Sequence, residues 1–385
     1  MVSIDKDPKL LYYFKKRHLE KETKTSYTNC FKNYYKVTGL TPTEAIDEAD
    51  YEEDEGIRKK KRKITKYLDD FEEHLEANMS EKTLQQYMNI VRTFYKFNEI
   101  ELPISIRRSP NPTPETSLED IPDVDDIQKA ISFSDIKYNA FIILLASSGM
   151  RQGDARSLIL EQLVNALNMY AEIKVNDLSN IGEVKDLLPK TIGPIRWDFW
   201  MEKKKRKHSC FSTPESLKYI LRYLEHHPPK KFEDDTFLFR NYQKGKGVVD
   251  GFIGRRSFNS AFRDINRRCN WGIRPNGYIF FNPHILRSWF ANQGAYSDLG
   301  QDNTRLLMGH RVKDATGKAY IKPNYKVLYK LYYEFMDEFT IFNRVEVHDI
   351  TDERVKSLES ENKEMKKRLD ALERGKERKD RLKEI

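Results

Sequence analysis

The chain has 385 residues, so at roughly 150 residues per domain it exceeds one ordinary module and fits two or three. Hydrophobic residues make up 38% and aromatics 12%, with 21 Tyr and 21 Phe, which excludes global disorder despite 33% charged residues. Lys and Arg total 68 against 60 acids, a formal net charge of +8, which favours a polyanionic partner where the cations cluster. Cys30, Cys210 and Cys269 are odd in number and lack metal-ligand spacing, which argues against a disulfide framework or zinc module and for a reducing compartment. The opening MVSIDKDPKL has no apolar signal core, and no run of about 18 apolar residues follows, so an intracellular, cytoplasmic protein without a membrane partner is expected.

From Leu10 to about Leu102, apolar residues recur at helical spacing, as in Tyr27, Phe31, Tyr34 and Tyr35 and again in Tyr87, Val91, Phe94 and Tyr95. This predicts a small all-helical domain over 1–105, with Ser80 as the N-cap of its last helix. Arg58, Lys59, Lys60, Lys61, Arg62 and Lys63 form an unbroken cationic run, flanked by acids at Glu52 to Glu55. It reads equally as a solvated helix face or as a phosphate-contacting segment. The proline-rich stretch 106–123 stops helices and resists burial, which makes it a linker.

A larger region, 124–342, carries helical segments such as Tyr138 to Ser147 and the amphipathic run Val327 to Phe339. Short β-rich pieces at Pro194 to Trp200 and Tyr278 to Phe281 add small sheets, and no alternating βαβ series appears. The expected fold class is mainly α with small β-sheets. In the charged tail, 343–385, residues Val355, Leu358, Asn362, Met365, Leu369 and Leu372 form a short heptad seam. Either a frayed, solvated tail or a coiled coil fits so few heptads; the Asn at an a position tips the balance towards self-association.

Four segments concentrate the chemistry. In NPHILRSWFANQG, Asn282 caps a helix, Pro283 takes its first position, and His284 and Arg287 fall three residues apart on one face. Such a pair grips a phosphate oxygen, the guanidinium through its fork and the imidazole by donating or accepting a proton. In LLMGHR, Gly309 ends a helix and presents His310; Tyr320 follows ten residues later. In ASSGMRQGDARSL, Arg151 follows a helix terminated at Gly149, with Asp154 near enough to orient it. Between these lies a hairpin-like segment in which Lys203, Lys204, Lys205 and Lys207 crowd one turn. Taken singly, each has a bland explanation: a salt-bridged arginine, an idle loop histidine, a solvated turn.

As an ordered set, G-x-R, a lysine, H-x-x-R, L-x-G-H and a following Tyr, the sequence resembles the tyrosine recombinase family, the phage-integrase type of site-specific recombinase. The resemblance covers about Asp120 to Phe342 and likens the helical region before the linker to the family's core-binding domain, with an α+β catalytic domain after it. It implies that Arg151 and Arg287 clamp one scissile phosphate, that His284 assists proton transfer, and that His310 donates a further hydrogen bond. Tyr320 would be the nucleophile, with Tyr325 the weaker candidate, and Lys205 would protonate the departing 5′-oxygen. Neither metal nor ATP is needed, so no cofactor is expected. Double-stranded DNA is the implied partner, with a tetramer assembled on it and the tail contributing dimer contacts. Lys204, Lys207, Arg255 and Arg256 would join the 58–63 run in binding DNA. A mobile element, such as a virus or plasmid of an archaeon, is the implied source. A type IB topoisomerase and a catalytically idle DNA-binding relative are the rival readings. Two departures stand out: the His310 to Tyr320 interval is one residue longer than the commonest family spacing, and the lysine register is ambiguous. His18, His74, His208, His226, His227 and His348 receive no role.

Overall fold

The computed structural model describes residues 3–103, 120–171, 174–176, 178–189, 191–201, 204–228, 233, 235–241, 251–274, 278–310 and 323–342. Tyr320, Lys203 and the heptad seam of the tail lie outside these residues, as does most of the proline-rich stretch. The chain forms two compact units, Met1–Glu115 and Thr116–Ile385. Among the described residues, no helix is long and apolar enough to cross a membrane.

The first unit is a helical bundle of α1 (Pro8–Lys16), α2 (Lys21–Thr38), α3 (Pro42–Asp54), α4 (Lys63–Asn78) and α5 (Glu81–Phe97). Its helices start where the sequence supplies capping oxygens. The Asp7 carboxylate accepts from the Leu10 amide, and Thr41 and Glu44 form a reciprocal capping box ahead of α3. Ser80 does occupy the N-cap of α5, but no backbone amide is bonded to its side chain; the hydroxyl pairs with that of Thr83 at 3.0 Å. Of the residues at helical spacing, Phe31, Tyr34, Val91, Phe94 and Tyr95 fill the core, joined there by Phe71, whereas Tyr27, Tyr35 and Tyr87 are only half-buried at its margin; the polar pair Tyr34 and Tyr95 is satisfied by a hydroxyl–hydroxyl bond of 2.9 Å.

In the second unit, α6 (Val124–Ser132) leads to α7 (Ile136–Ser148), which is apolar all round and accordingly buried from Ala140 onward. Helix α7 ends at Gly149 in the left-handed region, φ 59°. Next come α8 (Gln152–Arg156), α9 (Leu160–Leu167) and α10 (Ile181–Asp186). Strands β1 (Ile195–Met201) and β2 (Arg206–Ser212) pair antiparallel, Ile195 opposite Ser212 and Met201 opposite Arg206. Helix α11 (Pro214–His226), the short strands β3 (Arg240–Asn241) and β4 (Gly251–Phe252), and α12 (Arg255–Arg268) follow. The described part closes with α13 (Pro283–Tyr296), α14 (Gln301–Leu307) and α15 (Tyr325–Glu334), then a 3₁₀ turn at Met336–Phe339. Helices α11 and α13 both pack on α7, which makes α7 the spine of the unit.

The mainly helical class with small antiparallel sheets is thus observed. One β piece is not: Tyr278 to Phe281 makes only an isolated bridge, Ile273 with Ile279. The reason is local. The Asn266 carboxamide of α12 takes both polar groups of Phe281, accepting from its amide at 2.9 Å and donating to its carbonyl at 2.6 Å, so no strand partner is left a ladder to join.

Candidate active site

Three of the expected residues come together at the ends of three helices. Arg151 stands at the N-cap of α8, two residues after the left-handed Gly149. Its Nη1 lies 3.9 Å from the Asp154 carboxylate and 3.6 Å from Met201 Sδ of the hairpin. Arg287 sits one turn into α13, whose start is fixed by Asn282: its side chain accepts from the amides of His284 (3.0 Å) and Ile285 (3.1 Å), with Pro283 at the first position as predicted. Arg287 is 5% exposed. It donates to the Gly149 carbonyl, to the Met308 carbonyl at 2.7 Å, and to His310 Nε2 at 3.0 Å. Those bonds occupy three of the five guanidinium hydrogens and leave two for another acceptor.

His310 follows Gly309, which takes φ 70° beyond α14. The amides of Gly309 and His310 bond back to Leu306 (2.9 Å) and Arg305 (2.8 Å), the two bonds of a Schellman turn. Because a guanidinium only donates, Nε2 of His310 is the bare nitrogen and the proton resides on Nδ1. Burial of the ring, and then the charges of Arg287, Arg151 and Lys204, push its pKa down to about 4, so His310 is neutral near pH 7. The same congestion acts on Arg287, whose pKa falls to about 10 through desolvation and the Arg151 charge, against which Asp154 pulls upward.

Gly149, Arg151, Asp154, His208, Cys210 and Arg287 line one small cleft. Two guanidiniums beside one buried carboxylate leave this crevice, itself too narrow for a water molecule, with an excess of positive charge that an anion at its mouth would offset. The turn that presents His310 is held through its main chain. The carbonyls of Leu307, Met308 and Gly309, orphaned at the end of α14, lie within hydrogen-bond distance of three donors from other elements: His208 at 2.9 Å, Arg287 at 2.7 Å and Arg206 at 2.8 Å.

The other predicted residues are placed as follows. His284 lies one turn before Arg287 on α13 and is exposed. The hairpin turn holds Lys204 and Lys205, both exposed, with Lys205 in the left-handed region at φ 48°. Lys207 is not in the turn but in β2, also exposed, and of the described lysines it is Lys204 whose charge reaches His310. Arg255 and Arg256 are exposed in the first turn of α12, an end where the helix dipole disfavours cations. In the 58–63 run every residue but Arg62 is exposed. Three of the six are engaged by carboxylates of their own unit: Lys59 with Glu101, Arg62 with Glu53, and Lys63 with Glu48.

Two residues of the site, Arg206 and His208, drew no attention in the sequence. The available signal was the period of two: in β2, Arg206, His208 and Cys210 share a face, and His208 and Cys210 both line the cleft.

The chain matches no protein-family model and no curated protein. It is similar to three solved structures among others. XerA recombinase has 17% identity over 85% of this chain and 96% of that one, with a TM-score of 0.33. The Tn1549 transposon integrase in complex with circular intermediate DNA has 12% identity over 85% and 97%, with a TM-score of 0.44. A lambda integrase dimer bound to a COC′ core site has 13% identity over 79% and 94%, with a TM-score of 0.41.

Proposed function

We propose that this protein is a site-specific DNA recombinase or integrase of the tyrosine type, which cleaves and rejoins strands through a 3′-phosphotyrosyl intermediate without metal or ATP. The observation that carries the reading is the Arg151 and Arg287 pair lining one crevice, with a neutral His310 bonded to Arg287. Two guanidiniums supply at a phosphodiester the charge stabilisation that a metal ion would otherwise supply, and they do so most strongly as phosphorus becomes pentacoordinate. His310 offers its Nδ1–H to a phosphate oxygen, and His284, one turn ahead of Arg287, assists proton transfer.

In this reading, the Tyr320 phenol attacks phosphorus as its proton passes to His284, and the P–O bond to the 5′-oxygen breaks as that oxygen takes a proton from a hairpin lysine. Lys205 is the first choice by register; Lys204 is supported by its electrostatic reach to His310. Attack of a 5′-hydroxyl on the phosphotyrosine reverses the step, and the conserved ester energy makes ATP unnecessary. Lys204, Lys207, Arg255 and Arg256, with the exposed members of the 58–63 run, supply sequence-independent phosphate contacts along duplex DNA. Recombination joins two duplexes, so a tetramer on DNA is part of the proposal, with the tail in dimer contacts and a mobile genetic element as the source.

The test is a nicked suicide duplex carrying the protein's own site, with covalent protein–DNA complex as the readout. Wild type is expected to accumulate the complex and Tyr320→Phe to form none. A complex that persists in Tyr320→Phe removes that residue as nucleophile, and its absence in wild type removes the enzyme reading in favour of an idle DNA-binding relative. Relaxation of supercoils lacking any specific site would favour the topoisomerase alternative.

A further inference from the structure

His208 is buried on β2 at 6% exposure and contacts both sides of the site through one ring. Its Nε2 lies 2.9 Å from the Leu307 carbonyl, three residues before His310, and its Nδ1 lies 3.3 Å from the Tyr325 hydroxyl at the first position of α15. A carbonyl only accepts, so Nε2 carries the proton. Nδ1 is therefore the bare nitrogen, and the Tyr325 hydroxyl donates to it. The chain of bonds from Tyr325 through the imidazole to Leu307 thus has one direction, with every partner satisfied.

The surroundings keep the ring in this state. Burial above all, then the charges of Arg206 on the same strand, Arg287 from α13 and Arg151 at the start of α8, outweigh the upward pull of the Leu307 bond and lower its pKa to about 4, so it is neutral at ordinary pH. Phe199 of β1 packs edge-on at 5.6 Å and fixes the plane of the ring. Arg196 of β1 lies over the Tyr325 ring at 5.9 Å, so the phenol too is held from a second side.

We propose that His208 is a positioning residue of the cleavage site: by bridging the Leu307 carbonyl to the Tyr325 hydroxyl it locks the His310 turn and the start of α15 to the hairpin in one arrangement. This rests on the strand-cleavage reading above. It gives His208 no contact with DNA and no proton to move; its effect is on the placement of groups that do the chemistry, where an error of about 1 Å costs on the order of a hundredfold in rate.

The experiment measures DNA affinity, the single-turnover rate of covalent complex formation, and the melting temperature for His208→Phe, Tyr325→Phe and the double variant. His208→Phe and Tyr325→Phe are each expected to slow cleavage by at least about tenfold at saturating DNA, with affinity unchanged within about twofold. The double variant should be no slower than His208→Phe alone, because both single changes break one bridge. Side-chain length separates the two arms. His208→Gln sets its amide near the old Nε2 and keeps the Leu307 bond, so it recovers part of the rate, whereas His208→Asn reaches only towards Tyr325 and recovers less.

Wild-type cleavage by His208→Phe, independent effects of the two single changes, or a loss wholly in affinity would each overturn the positioning role. So would abolition of the complex by Tyr325→Phe, which would make that phenol the nucleophile. Should His208→Phe not fold, the order of Gln above Asn decides, and equality between them refutes the bridge. Absence of cleavage in wild type is a different result: it removes the cleavage reading itself, and the proposal with it.

Discussion

Gly149→Ala tests how the end of α7 supports the site. Two costs act together there. At φ 59° a residue with a Cβ occupies the left-handed region, which costs roughly 1–2 kcal/mol. A Cβ built on Gly149 would also lie 2.4 Å from Phe290 Cδ1 and 2.9 Å from its Cγ and Cε1. Phe290 has nowhere to go: it is fully buried and stacked on Phe339 at 4.4 Å. Overpacking of this kind costs about 1–3 kcal/mol, so the expected destabilisation is about 2–5 kcal/mol, a fall of roughly 5–15 °C in the melting transition of the second unit. Phe290 and Arg287 share α13, and the Gly149 carbonyl is itself an Arg287 acceptor, so cleavage should fall as well. Differential scanning calorimetry of the whole chain, followed by the suicide-duplex assay at a temperature where both proteins are folded, reads the two effects separately. A melting transition within about 1 °C of wild type would refute the steric argument.

Arg287→Lys keeps the charge but loses the fork, and an ammonium cannot serve the Gly149 and Met308 carbonyls, His310 and a phosphate together. Cleavage is expected to drop on the order of a hundredfold or more, with circular dichroism unchanged at assay temperature; near-normal cleavage would show that the fork is dispensable. Glu215, in the first turn of α11, accepts from the amides of Ile341 and Phe342, both at 2.9 Å, yet burial outweighs those donors and lifts its pKa to about 7 from 4.5. The folded chain therefore binds the extra proton between about pH 4.5 and 7, and stability conferred by that proton is full below 4.5 and lost as pH rises through 7, by at most about 3 kcal/mol. Denaturant titrations across that window should show the slope in wild type and its absence in Glu215→Gln; an identical slope in both refutes the assignment.

Local chemistry was legible in the sequence wherever it acts over a few residues. Asn282 with Pro283, Gly149 and Gly309 each announced a helix end, and the structure places them there because capping and left-handed backbone depend on neighbours in the chain. The convergence of Arg151, Arg287 and His310 was legible only through their order along the chain. Lys207 was misplaced because a run of lysines does not show where a turn stops and a strand begins; that is set by the pairing of Trp200 with Lys207. His208 was passed over for a related reason: its partners, Leu307 and Tyr325, lie about a hundred residues away, and nothing near it in sequence hints at either. The Tyr278 to Phe281 stretch has strand-like composition, but the Asn266 clasp overrides it.

The clamp on residues 307 to 309 has a consequence for sequence drift. His208, Arg287 and Arg206 grip peptide oxygens, which every amino acid possesses, so the path of this turn is insensitive to the identities of Leu307 and Met308 beyond their own packing. Gly309 is the exception, since φ 70° and a Met201 sulfur 2.9 Å from any added Cβ both demand glycine. A turn steered through its main chain leaves the residue at its tip at liberty to be exchanged, so chemistry at position 310 could be retuned by a single codon while the scaffold beneath stays put.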